Sequence, residues 1–212
     1  MTTFDFGAGP VPAHQHPNGG GWVADTASVS ETAYIGPAAR VSGYAVVYYG
    51  KARVTGNARV TDNARVTGKA VVSDNAVVSD NARVTGNARV YGNAVVFNDA
   101  RVYGNVVVSD NAVVSDNARL TGNAKVFGNA KVFGNAEVSG NAVVDGNARV
   151  YGNTMVSGDA MVYDNARVYD NAEVSGNAKV FGNARVSGDA WVYDNAKVSD
   201  NAEVFGDAEV TD

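Results

Sequence analysis

His14 and His16, in the stretch HQH, are the chain's entire supply of imidazole, and there is no cysteine. Two apart in an extended segment, they project to one side, as two ligands of one metal would. Two ligands do not close a site, so the pair is better read as part of a tail or cap. Periodic aspartates such as Asp62, Asp74 and Asp80 could in principle bind calcium or carry a proton. Their place in Asp-Asn pairs is turn chemistry instead. The Gly-Ala-Gly near residue 8 is followed by no helical pattern, so it is not a phosphate loop. No base, nucleophile or ligand set for an enzyme emerges, and no cofactor is expected.

The elements that would position any such group are set by a repeat. From Val54 to Val210 a valine recurs every six residues through 27 units, with Leu120 the sole exception. Upstream, Val23, Val29, Ile35, Val41 and Val47 keep the step, and a single seven-residue step separates Val47 from Val54. Each unit reads Ala, variable, Val, variable, then Gly-Asn or Asp-Asn. Ala and Val two apart share one side of a strand, the variable residues take the other, and the pairs that follow favour a sharp corner. Hairpins of such short strands would leave many open edges, whereas coiling stacks each strand on its equivalent. The pattern therefore predicts an all-β solenoid.

Units such as Val126 with Ala130, and Val132 with Ala136, resemble the hexapeptide-repeat left-handed β-helix family, and His16 to Val41 is similar to the start of many bacterial and phage hexapeptide-repeat proteins. The resemblance implies three units per triangular coil, about 10–11 coils here, and a left-handed sense that ordinary crossovers would not suggest. At ~4.8 Å per coil the rod is roughly 50 Å long. Residues 1–21 are expected to form a tail or cap, and 22–212 the helix, with a one-residue insertion near 48–51. Val106 and Thr154 replace the inward Ala and should widen the prism locally. Asn57, Asn63, Asn75 and their successors should form amide ladders along the edges.

Acyltransferases of this family use a histidine on or beside a coil, and a carbonic anhydrase branch uses three. This chain has none in its repeats, so neither residue set carries over. Function must then lie on the outward positions. Sorted by threes, one face carries Val77, Val95 and Val113, a candidate oligomer contact, followed by Lys131, Arg149, Arg167 and Arg185. Phe133, Tyr151 and Tyr169 stand beside those cations, and together the seven form a candidate surface for an anionic or aromatic ligand. On another face, Thr67, Thr85 and Thr121 share space with Arg65, Arg83 and Arg119 and later with Glu137, Glu173 and Glu209, which excludes the flat Thr columns of ice binding.

The 212 residues, 45% hydrophobic with a formal charge of −5, suit a single domain. A modest charge argues against a general nucleic-acid partner, and no segment approaches a membrane span or a signal peptide, so a cytoplasmic or virion-associated place is expected. The sequence stops at EVTD in mid-pattern, which points to a truncated chain or an end-to-end partner at Val210. The expectation is a non-enzymatic structural or binding rod that forms a dimer or trimer through an end or a side. A degenerate acyltransferase-like protein and a ligand-binding module are the alternatives.

Overall fold

A computed structural model of the chain describes residues 2–212. Most units contribute a strand of two residues, its first side chain outward and its second inward. Three units turn the chain once around a three-sided prism, so residues 18 apart pair in parallel: Val77 with Val95, Arg65 with Arg83, Val71 with Arg89. Those pairs belong to sheets of 13, 11 and 10 strands, called here faces 1, 2 and 3.

The inward Ala and Val positions form one continuous apolar column from Val23 to Val198. Burying the same small pair in nearly every unit gives the coils a common width, which lets the strands stack in register along most of the rod. Corners are made by Gly, Asp or Asn in the left-handed region, for instance Gly122 at φ 67° and Asp116 at φ 58°. These residue types tolerate that region best. A corner Asp adds a contact along the rod, as where Asp116 Oδ2 accepts from the Gly134 N–H at 3.1 Å. The next corner residue, Asn, forms amide ladders along much of each edge, although Asn63 and Asn81, expected to join one, make no such bond among the described residues. On one edge Asn57 Nδ2 donates to Asn75 Oδ1 at 3.1 Å and the series runs on through Asn129 to Asn201.

The seven-residue step is absorbed by a bulge. Thr67 pairs with Tyr48 and Gly68 with Gly50, which leaves Tyr49 unpaired at φ 55° with its ring in solvent. The two large interior substitutions open their corners. Gly104 before Val106 has φ 91° and Gly152 before Thr154 has φ 85°, and the chain bends at both without closing a hydrogen-bonded turn. Both side chains are fully buried, and Thr154 Oγ1 finds no hydrogen-bond partner.

Before the first coil, Thr3–Asp5 and Pro10–Gln15 form an antiparallel hairpin whose second strand pairs with Trp22–Ala24 at the start of face 1. Phe4 stacks on Trp22 at 4.6 Å, and Arg40 lies over Phe4 at 5.2 Å. The loop that follows serves face 3: Gly21 N donates to Ile35 O at 2.9 Å and Asn18 Nδ2 to Ala33 O at 2.9 Å. Among the described residues no helix is long and apolar enough to cross a membrane.

Candidate functional site

The two histidines of HQH are engaged separately. His14 Nδ1 lies 2.8 Å from Asp25 Oδ1 in solvent, whereas His16 is buried and contacts the Asn18 backbone. No group of three metal-ligating side chains occurs among the described residues. The periodic Asp side chains bond to the backbone of the next corner, as at Gly92 with Asp74 and Gly182 with Asp164. With the interior and corners committed to structure, chemistry is left to the outward columns.

On face 1 the structure places Val77, Val95, Val113, Lys131, Arg149, Arg167 and Arg185 in successive strands, followed by Glu203. The three valines are half-buried and the four cations exposed. Arg185 Nη1 meets Glu203 Oε1 at 3.1 Å, an exposed pair. In the adjoining column the Phe133 ring stacks on Tyr151 at 4.8 Å and Tyr151 on Tyr169 at 5.2 Å, with planes within 7° of parallel. Burial in this stack raises the Tyr151 phenol above its ordinary value; Tyr169 and Asp170 add to the shift, and Arg167 and Arg149 oppose it. Rings held face to face beside exposed guanidinium groups can stack on a planar ligand or attract an anion. Val210 occupies an inward position at the end of face 2 and Val204 one at the end of face 1, and both are half-buried.

A second place emerges on face 2, which the sorting of residues had not singled out. Trp191, half exposed at 51%, lies between Glu173 and Glu209 in the flanking strands. With Tyr193 and Asp194 they line a groove of about 420 Å³. Tyr193 Oη donates to Glu209 Oε2 at 3.3 Å, and the charge of Glu209 raises the phenol, with burial and Asp194 adding to it. An indole flanked by carboxylates suits an organic cation. The signal was present, since Glu173, Trp191 and Glu209 stand 18 apart. Face 3 has its own stack, Tyr163 on Phe181 at 5.0 Å.

The stacked three-unit coils give the chain the fold of the hexapeptide-repeat left-handed β-helix proteins. Residues 76–179 match a family described as Bactofilin, polymer-forming cytoskeletal. Residues 58–74 and 178–194 match the YdcK β-solenoid repeat. Among solved structures, the Arabidopsis UDP-N-acetylglucosamine acyltransferase superposes with a TM-score of 0.64 at 14% identity, covering 86% of this chain and 73% of that one. The Campylobacter jejuni UDP-N-acetylglucosamine acyltransferase gives 0.42 at 14% identity, over 84% and 71%. No curated protein matches the sequence significantly.

Proposed function

We propose that the chain is a non-catalytic structural rod that associates with copies of itself, in the cytoplasm or on a virion. The observation that carries this reading is the match of residues 76–179 to a family described as polymer-forming, on a body whose interior, corners and ladders are all committed to building length. The self-contacts proposed from sequence are the Val77, Val95 and Val113 ladder and the last coil at Val210. Light scattering over a range of concentrations should give a dimer, trimer or larger multiple of the 21.9 kDa chain. Val95→Glu or Val210→Glu then shows whether a side or an end holds it. A concentration-independent monomer overturns the reading.

A second reading is favoured by the parallel ring stack on face 1. Lys131, Phe133, Arg149, Tyr151, Arg167, Tyr169 and Arg185 would bind an anionic or aromatic ligand. Titration with a mononucleotide and with inorganic polyphosphate should quench tyrosine emission, and Tyr151→Ala should abolish the response; a flat titration with both removes the idea. The shared fold with an acyltransferase supports a third, in which the chain is a degenerate relative. Acetyl-coenzyme A binding or turnover by the full chain would support that.

A further inference from the structure

Face 2 carries its charge in two opposite halves. Its outward column presents Arg65, Arg83, Arg101 and Arg119 in four successive strands. The next five strands present Glu137, Glu173 and Glu209, with Met155 and Trp191 between them. Like charges side by side at strand spacing repel, so the arginine ladder is costly in an isolated rod. Only Arg119 is relieved, by Glu137 at 3.3 Å; among the described residues Arg65, Arg83 and Arg101 have no ion pair. Of the carboxylates at the preceding corners, Asp80 Oδ2 accepts from Asn98 N at 3.2 Å and Asp116 Oδ2 from Gly134 N at 3.1 Å, while Asp99 lines a hollow with Arg101 and Arg119 without pairing with either.

We infer that face 2 is the contact of an antiparallel, side-by-side pair with a second copy of this chain. A half-turn about an axis running across the face, level with the gap between Arg119 and Glu137, sets the column against its own complement. Arg119 then meets Glu137 of the second copy, Arg83 meets its Glu173, Arg65 meets its Trp191, and Arg101 lies against its Met155 between two such contacts. That last position is the groove between Glu173 and Glu209, where a guanidinium gains an indole face and two carboxylates. The neighbouring column matches in size as well: Tyr103 falls opposite Ser157 and Thr67 opposite Tyr193. Ten strands at ~4.8 Å make the contact roughly 45 Å long, enough for a standard interface of ~1,600 Å² at a width of ~18 Å.

The other faces fail the same operation. The outward column of face 3 holds Arg53, Arg89, Lys125, Lys179 and Lys197 and no carboxylate. Face 1, centred on Val95, would set Arg59 against Lys131. Self-complementarity under a twofold is therefore a property of face 2 alone.

This pair rests on the self-association proposed above, and two charge reversals in the full chain separate the two ideas. Arg83→Glu alone brings carboxylates together at two places in the pair, and Glu173→Arg alone brings guanidinium groups together. Each variant, checked for unchanged circular dichroism, should self-associate about tenfold more weakly or worse. Mixing the two restores both contacts, so a tagged Arg83→Glu chain should capture Glu173→Arg and regain the wild-type dimer mass. An assembly that ignores both reversals, or that Val95→Glu dissolves in their place, overturns the face 2 pair and leaves self-association standing. A wild-type chain that is monomeric at every concentration overturns both.

Discussion

Residues 122–140 and 152–170 follow the same six-residue rule and fold with different regularity. In the first stretch Gly122, Gly128 and Gly134 lie between φ 67° and 72°, and Ala124 and Ala130 each donate back across the corner at 3.3 Å. Asn129 Nδ2 passes the ladder on to Asn147 at 3.1 Å. In the second stretch Gly152 swings to φ 85°, the buried Thr154 hydroxyl is unpaired, and Asp159 accepts from Asn141 while offering no donor to the following coil. The next ladder on that edge starts at Asn177. Val106 behaves as Thr154 does, beneath Gly104 at φ 91°. A coil therefore admits a larger interior residue where a glycine corner can rotate away, and a ladder continues only through side chains that both accept and donate.

The largest effect should come from moving the irregularity into the regular stretch. Ala130→Thr, beneath the Gly128 corner, is expected to cost about 2 kcal/mol through overpacking and an unpaired hydroxyl. The same substitution at Ala166 sits beneath Asp164 at φ 60°. Aspartate cannot follow glycine to still larger φ without strain, so Ala166→Thr should cost about 1 kcal/mol more. Urea midpoints at unchanged slope measure both. Equal losses would mean that the glycine corner plays no part.

The converse change should be somewhat smaller and of opposite sign. Thr154→Val keeps the shape and removes the unpaired hydroxyl, so the midpoint should rise by the equivalent of about 1–2 kcal/mol. An unchanged midpoint would show that the hydroxyl is hydrated in solution.

Much of this is visible in the letters, for a physical reason. Every unit buries the same two residues, so the fold is announced by Val and Ala at a spacing of two and by a corner pair after each strand. The amide ladders follow once residues 18 apart are known to stack. What resists reading is whatever depends on a single copy or on neighbours from different coils. The Thr3–Gln15 hairpin has no period, and its place on face 1 rests on Phe4 finding Trp22. The separation of His14 from His16 follows from Asp25 and Asn18, which no spacing rule connects to them. The groove at Trp191 depends on side chains of neighbouring coils and on Tyr193 turning to Glu209, whereas the divided charge of face 2 is already present in the sorted outward residues.

The smallest expected effect concerns the ladder itself. Asp159 takes the Asn141 amide at 2.9 Å and ends the series that begins at Asn87. Asp159→Asn keeps that acceptor and adds a donor facing Asn177, so two short ladders become one. In an exposed position the new bond should add about 0.5–1 kcal/mol. The reverse change, Asn129→Asp, breaks the unbroken edge between Asn57 and Asn201 and should lose a similar amount. If ladder continuity matters, the two variants shift the urea midpoint in opposite directions. Net charge alone would also move them in opposite directions, because one variant removes a negative charge and the other adds one; comparing 0.05 M with 1 M salt decides, since screening would flatten a charge effect and leave the hydrogen bonds in place.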